Sequence, residues 1–580
     1  MSVDLQSDRV GRNACQDRIM VEPLRPWLVN YQPGVPADIE LPTDSLVHMF
    51  ERSVAAAGPA IALDFFGRET SYARLGDQVA RAAEGLRKLG VAAGDRVALL
   101  LPNCPQHLVA FYAVLRLGAV VVEHNPLYTA PELRHLFESH HAKVAICWDT
   151  AVEKITDLPR DAAPAHIVAV NLLDAFPAVQ RLALRLPIPS LRAKRDALTR
   201  PAPGQTIPWR QLLKSAPLDP AHPRPGVQDL AAIQYTSGTT GTAKGAMLTH
   251  FNLHSNALQG EAWMYSAQYQ RENFYAILPM FHAFGLTLYV TYGILKQARL
   301  VIFPKFDVDM VLDAARRVPP TIYCAVPPIY EATARRAAER GISLKSAKYC
   351  ISGAMNLPDA IVERWEAASG GLLVEGYGMT ETSPVALGNP FYPTRRPGTI
   401  GVPFPSTWMR VVDPSDPTRD VEPGTPGELL LKGPQVMRGY WQDPEATAAV
   451  LLPDGWLRTG DVVTVDADGF TTIVDRLKEL IITGGFNVTP SEVEDALRAH
   501  PDVVDAAVVG LPSERGGEDV VAAVVLRPGA TLDEDALREH SRGRLARYKV
   551  PRRIVAVADL PRSMLGKVLR KQVKDQIAPS

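Results

Sequence analysis

The stretch Tyr235-Thr236-Ser237-Gly238-Thr239-Thr240-Gly241-Thr242-Ala243-Lys244-Gly245 packs three glycines, five Ser/Thr hydroxyls and a lysine into one segment. Glycine permits close backbone approach and left-handed dihedrals, so successive N–H groups can converge on an anion. The hydroxyls add donors and Lys244 adds a point charge, so the chemistry implied is a grip on polyphosphate. A Walker loop requires Gly-x-x-x-x-Gly-Lys-Ser/Thr; here Ala243 precedes the lysine and Gly245 follows it, which argues against an ordinary P-loop kinase or ATPase. A second glycine loop, Glu375-Gly376-Tyr377-Gly378-Met379-Thr380-Glu381-Thr382, is not a dinucleotide fingerprint, because Met-Thr-Glu follows its Gly-x-Gly. Thr459-Gly460-Asp461, the run from Arg476 to Gly485 and Leu565-Gly566-Lys567 complete an ordered set.

Core elements must flank these loops. Leu230-Ala231-Ala232-Ile233 reads as a buried strand before the first loop, with Ala246-Met247-Leu248 a strand after it and a helix from Asn252 onward. From Ser45, helices and strands alternate: a helix from Leu46, strands at 61–65, 97–101, 119–123 and 144–147, and helices at 72–89, 106–117 and 130–139. That rhythm predicts parallel sheets covered on both faces. Tyr323 to Pro328 reads as a strand leading to a helix at Ile329, Tyr349 to Ala354 as another strand, and the run from Leu372 as a strand that opens into the second glycine loop. Residues 390–475 are dense in proline and glycine with short alternating runs and read as a smaller β subdomain. The last 100 or so residues read as a compact α+β unit. The expected fold class is therefore α/β: a large N-terminal domain of α/β layered sheets plus the β subdomain, then a small α+β C-terminal domain. The expected division is an extended, partly disordered lead-in over 1–40, an N-terminal domain over 41–474, a charged bridge over 475–478 and a C-terminal domain over 479–580.

Composition narrows the function. A net charge of −1 supplies no global positive field, which disfavours nucleic acid as a partner. Cys15, Cys104, Cys147, Cys324 and Cys350 are widely spaced without a C-x-x-C pair, which reads as reduced cytosolic thiols and predicts a cytoplasmic protein. The polar N-terminus shows no secretory h-region, and the most apolar run, Gly285 to Phe303, is interrupted by Lys296 and Arg299 and fits buried core better than a membrane span. Residues 177–226 are rich in proline and arginine. Their basic amphipathic stretch, Leu182 to Arg195, can rest on anionic lipid as a peripheral contact at the inner membrane face, although Pro187 and Pro189 break any long helix.

The loop at 235–245 resembles the phosphate-binding signature of the adenylate-forming enzymes: acyl-CoA synthetases, luciferases and peptide-synthetase adenylation domains. With all five motifs in order, the chain resembles an acyl-CoA synthetase from about residue 40 to the end. Asn125-Pro126-Leu127-Tyr128 and the run from Asp454-Gly455-Trp456 through Gly485-Phe486-Asn487-Val488 look like bacterial long-chain fatty-acyl-CoA synthetases.

The resemblance implies ATP-dependent activation of a long-chain fatty acid to acyl-AMP with release of pyrophosphate, then transfer to CoA. It implies ATP, Mg²⁺ and CoA as cofactor and co-substrates. Thr236, Ser237, Gly238, Thr239, Thr240, Gly241 and Lys244 would hold the β- and γ-phosphates, Thr380 the α-phosphate, and Glu381 the Mg²⁺. Ser352, Gly353 and Ala354 would sandwich adenine with Glu375, Gly376, Tyr377 and Gly378. Asp461 would take the ribose hydroxyls beside Arg476, and His282 would wall the site next to the substrate carboxylate. Lys567 would bridge that carboxylate and the α-phosphate; the family form carries a small polar residue where Leu565 stands. Lys478 matches the pivot of a mobile C-terminal domain, and Gly484, Gly485 and Phe486 its CoA channel. The acyl tunnel is expected along 282–286, 323–327 and 378–386. A medium-chain or aryl-acid CoA ligase, an acyl-AMP ligase serving a carrier protein, and a non-catalytic lipid- or nucleotide-binding relative are the alternatives. A homodimer stays open.

Overall fold

The computed structural model describes residues 25–236, 243–477, 479–483, 486–513, 518–563 and 566–578. Two large sheets dominate it. One has eight strands in the order Gly439–Tyr440, Lys244–Thr249, Leu230–Thr236, Val120–Glu123, Arg96–Leu100, Val144–Trp148, His166–Val170 and Ile207–Pro208. The other has nine: Val402–Pro403, Val385–Gly388, Leu372–Gly378, Tyr349–Ser352, Ile322–Ala325, Asn273–Ala276, Arg299–Ile302, Ile61–Phe65 and Arg68–Ser71.

Strand alternation sorts their side chains into three layers of core. Val97 and Leu99 join the central cluster, whereas Ala98 and Leu100 face outward under the helix Ala130–His140. In the second sheet Phe274 and Ala276 face the centre, while Tyr275 and Ile277 pack beneath the outer helices Val308–Arg317, Pro327–Arg340 and Asp359–Ser369. The helices Leu46–Ala57, Tyr72–Lys88, Pro105–Arg116 and His250–Trp263 fill the space between the sheets. Burying strands on both faces is what parallel βα units require. Both sheets are nevertheless mixed, not purely parallel. The Lys244–Thr249 strand folds back antiparallel on Leu230–Thr236, and the Val385–Gly388 and Arg68–Ser71 strands pair antiparallel near the edges of the second sheet.

The β subdomain is a five-stranded antiparallel sheet ending in Leu457–Val465 and Thr471–Arg476. The C-terminal unit is a three-stranded sheet, Val503–Pro512, Glu518–Leu526 and Arg553–Ala556. The helices Pro490–Arg498 and Glu534–Arg542 lie on one face and Arg570–Ile577 on the other.

Residues 25–40 run extended apart from one 3-10 turn at Pro26–Asn30, and they are tied to the body. Asn30 donates to the Asp468 carbonyl at 2.8 Å, Tyr31 to the Pro403 carbonyl at 2.6 Å, and the Ile39 N–H to Ser406 Oγ at 3.0 Å. In the basic stretch Pro187 lies between two short helices, Ala178–Ala183 and Pro189–Leu198, and Pro189 opens the second. Leu184, Leu191 and Leu198 fasten them to the central core. Cys104, Cys147, Cys324 and Cys350 are buried free thiols. Among the described residues no helix is long and apolar enough to cross a membrane.

Candidate active site

The first glycine loop joins the antiparallel strands Leu230–Thr236 and Lys244–Thr249, with Thr236 opposite Lys244 and Thr236 Oγ1 donating to the Lys244 carbonyl at 3.4 Å. The anion grip therefore does not begin a helix as a Walker loop does. Ser237, Gly238, Thr239, Thr240 and Gly241 lie outside the described residues, as do Lys478, Gly484 and Gly485 and the side chains of Arg476 and Phe486. The short strand Gly439–Tyr440 braces the hairpin stem, and the Trp441 N–H donates to the Gly245 carbonyl at 2.7 Å.

Tyr440 links two of the expected ligand groups. Its hydroxyl donates to Glu381 Oε1 at 2.7 Å, and Lys244 Nζ lies 5.2 Å from the centre of its ring. Burial and the Glu381 carboxylate push the phenol pKa up, so it remains a donor. The Met437 N–H fixes the Glu381 carbonyl at 2.8 Å.

The strand ends Tyr349–Ser352 and Leu372–Gly378 lie side by side, with Ser352 opposite Glu375. Beyond them opens a cleft enclosing about 870 Å³ of empty space, its mouth included. Gly353, Ala354, Glu375, Gly376, Tyr377, Gly378, Thr380 and His282 all line it. Ser352 does not: it is 1% exposed, buried in the sheet beside the cleft, and its hydroxyl has no hydrogen-bond partner. At Gly378 a Cβ would fall 2.0 Å from the Pro384 carbonyl oxygen, so only glycine lets these backbones approach. Ala354 holds φ at +68°, a conformation that costs a non-glycine residue about 1–2 kcal/mol and occurs at ligand clamps.

The Tyr377 hydroxyl donates to Asp461 Oδ2 at 2.6 Å, and Asp461 pairs across its sheet with Arg476. Asp461 is thus tied to Tyr377, although it does not itself line the cleft. Burial raises the Glu375 carboxyl to about 7, against the Gly398 N–H that donates to it at 3.0 Å. The open face of His282 is turned to the cleft, while protein encloses the rest and holds its pKa down to about 4. It is therefore neutral at pH 7, and its Nδ1 accepts the Phe284 N–H at 3.3 Å.

Phe284, Met379, Pro384 and Val385 line the cleft within the expected segments 282–286 and 378–386, whereas the helical wall opposite lies where sequence reasoning did not place it. A stripe of the helix His250–Trp263 and its end, Asn256, Gly260, Trp263 and Met264, faces Phe284, Thr287, Leu288 and Tyr292 of a helix that runs from Ala283 to Leu295. Its middle, Leu286–Tyr292, is π-helical, a form concentrated at functional sites. Residues 323–327 do not line the cleft. Tyr323 packs with Trp365 in the outer core, because it occupies the outward-facing parity of its strand. The helix His250–Trp263 buries polar and apolar residues on several faces, so no spacing in the sequence marked this wall.

Lys567 sits in a tight turn of the C-terminal unit. Its N–H donates to Ser563 Oγ at 3.2 Å, its carbonyl accepts the Ser563 N–H at 2.7 Å, and Arg562 donates to the Gly566 carbonyl at 2.6 Å. Gly566 has φ +80°. The turn reaches the large domain: a Cβ on Gly566 would lie 3.0 Å from Met355 Sδ, one residue past cleft-lining Ala354. Closer to the bridge, Ser491 at the start of the Pro490–Arg498 helix donates through N and Oγ to Asp475 Oδ2, both at 3.3 Å.

Comparison with known proteins agrees with this geometry. Residues 50–441 match the family described as AMP-binding enzyme, and residues 492–567 the AMP-binding enzyme C-terminal domain. A long-chain-fatty-acid–CoA ligase of Bacillus subtilis (strain 168) is 36% identical over 559 residues, covering 95% of this chain and 98% of that protein. A feruloyl-CoA synthase of an Amycolatopsis species is 37% identical over 516 residues, covering 89% and 95%. The ATP-bound crystal structure of MatB from Rhodopseudomonas palustris superposes with a TM-score of 0.78 at 31% identity, covering 91% of this chain and 98% of that one. The chain belongs to the AMP-binding enzyme family.

Proposed function

We propose that the protein is an AMP-forming long-chain fatty acid–CoA ligase. The observation that carries the reading is that one cleft runs from the candidate nucleotide wall at Gly353, Gly376 and Tyr377 into an apolar gallery between two helices. Identity of 35–36% to long-chain ligases over 95% of the chain supports it. The feruloyl-CoA synthase keeps an aryl-acid ligase as the second reading; a panel of palmitate, octanoate and ferulate, scored for pyrophosphate and thioester, separates the two.

The substrate carboxylate is already anionic at pH 7, so no side-chain nucleophile is needed. The protein must neutralise charge and align two anions. Lys244 and the Thr236–Gly241 loop hold the β- and γ-phosphates, and Thr380 the α-phosphate. Gly353, Ala354, Glu375, Gly376 and Tyr377 flank adenine, with Ser352 behind them. Asp461 and Arg476 take the ribose, and neutral His282 borders the acyl carboxylate.

Among the described residues no group of three His, Cys, Asp or Glu could hold a metal. One braced carboxylate, Glu381, fits Mg²⁺, which keeps several waters and binds substrate phosphates. When bound, Mg²⁺ neutralises phosphate charge.

We propose Lys567 as the catalytic cation of the first half-reaction. Residues 475–478 are the hinge about which the C-terminal domain (479–580) turns on the 41–474 domain, with Lys478 as pivot and Gly484, Gly485 and Phe486 facing CoA. Lys567→Ala is expected to abolish acid-dependent ATP–pyrophosphate exchange yet still convert supplied acyl-AMP and CoA into thioester. Equal loss of both half-reactions would sink the assignment.

A peripheral membrane contact belongs to the same reading. Val179, Leu182, Leu186 and Ile188 are 80%, 66%, 48% and 45% exposed, and residues 177–200 hold six cations against the single anion Asp196. The free thiols accord with the reducing cytoplasm, and the proposed contact is with the inner face of the membrane. Substituting Leu182, Leu186 and Ile188 by Ser is expected to abolish co-sedimentation with anionic phospholipid vesicles; unchanged sedimentation removes the idea.

A further inference from the structure

The Lys567 turn meets the large domain at one side chain that no motif singles out. Ala354, at the end of the Tyr349–Ser352 strand, takes its left-handed conformation, and the next residue, Met355, packs partly on the central core. Its thioether lies against the Gly566 backbone: Sδ is 3.0 Å and Cε 3.6 Å from where a Cβ would be. A Cβ at 566 would press on Met355 so that the thioether has to give by a few tenths of an ångström, and φ +80° disfavours a side chain there independently. The described ends of the turn are tied together. Ser563 closes it through the Lys567 N–H and carbonyl, and Arg562 spans from the Gly566 carbonyl to the Asp505 carboxylate. What remains to be fixed is where Gly566 and Lys567 stop against the cleft.

We propose that Met355 is the positioning residue for the Lys567 turn: its thioether is the seat that holds the C-terminal unit in the adenylating arrangement. The inference rests on the reading of Lys567 as the first half-reaction's cation. Methionine suits the task because its unbranched, polarizable side chain fills an irregular gap against bare backbone without polar groups to satisfy. Met355 is not part of the cleft lining, so it acts through Lys567 and does not touch the substrate. A seat used in one arrangement only contributes to one half-reaction only, because a contact shifts an equilibrium between two arrangements by no more than its difference between them.

The test uses the full chain with Met355→Ala and Met355→Leu. Acid-dependent ATP–pyrophosphate exchange reads the first half-reaction, and thioester formed from supplied acyl-AMP and CoA reads the second. Met355→Ala is expected to slow exchange by about five- to thirtyfold with the KM for the acid unchanged, while thioester formation stays at the wild-type rate. Met355→Leu, similar in volume, restores most of the exchange. The proposal is overturned if Met355→Ala leaves exchange intact or depresses both half-reactions alike. It is also overturned if the leucine variant, with a wild-type melting temperature, is as impaired in exchange as the alanine. Failure of the broader reading looks different: there Lys567→Ala itself would not separate the half-reactions in the wild-type background, whatever Met355 does.

Discussion

Removing one oxygen atom from Tyr440 isolates its hydrogen bond from its ring. In Tyr440→Phe the ring still lies beneath Lys244 Nζ, whereas the 2.7 Å donation to Glu381 Oε1 is lost. Both partners are buried, at 7% and 6% exposure, so water does not readily replace the lost donor. A hydrogen bond to a charged group contributes about 1.5–3 kcal/mol. At about 1.4 kcal/mol per decade, that is about 10- to 100-fold in the equilibrium that keeps Glu381 placed for a phosphate-bound cation. The assay is ATP–pyrophosphate exchange as a function of Mg²⁺ concentration, with the melting temperature of the ligand-free protein as a second readout. The expected result is a rise in half-saturating Mg²⁺ of about tenfold or more and a lowered melting temperature. If half-saturation stays within about twofold of wild type, the placement of Glu381 does not depend on Tyr440 and the reasoning fails.

Two further outcomes follow from the cleft. Glu375 carries a carboxyl raised from 4.5 to about 7 by burial, so the fold favours its protonated form. Its contribution is complete below pH 4.5 and is lost as pH rises through 7, up to about 3 kcal/mol; Glu375→Gln should flatten that part of the stability–pH curve, and a slope like wild type in urea titrations refutes it. On the helix His250–Trp263, a Cβ on Gly260 would sit 3.7 Å from the Tyr292 ring across the gallery. Gly260→Leu should therefore shift the acid preference to shorter chains, and an unchanged chain-length profile would place the acyl end elsewhere.

Much of this site was legible because its chemistry is written in local sequence. The density of glycine and hydroxyls from Thr236 to Gly245 could serve little except an anion. The apolar runs ending at Ser352 and Glu375 had the length and punctuation of buried strands. What escaped was written in long-range contacts. The helix from His250 buries His250, Asn252, His254, Ser255, Asn256 and Gln259, residues whose types ordinarily face water. Asn252 donates to the Pro434 and Val436 carbonyls, Asn256 to the Val385 carbonyl, and Gln259 to the Pro405 carbonyl. No periodicity in a single helix reveals partners that far along the chain, so its wall of the cleft was missed. Tyr440 lies in a strand of only two residues, too short for any pattern. The antiparallel return of Lys244–Thr249 was hidden because the alternation of elements predicts parallel pairing, whereas this turn is a hairpin.

The tie between Asn30 and the Asp468 carbonyl spans 438 residues. It has neighbours of similar reach in Tyr31 with Pro403 and in Trp27, packed where a Cβ on Gly469 would fall 2.7 Å away. On the ribosome the first partner of each pair emerges long before the second, by about 20–90 s at roughly 5–20 residues per second. For that interval these anchors are missing and Tyr31 has only the earlier-made Trp263 ring, 5.2 Å away in the folded protein, so the segment that begins the described chain is fully attached only late. Its attachment reports that synthesis has passed the β subdomain, which makes the accessibility of Trp27 a clock for how far the nascent large domain has closed.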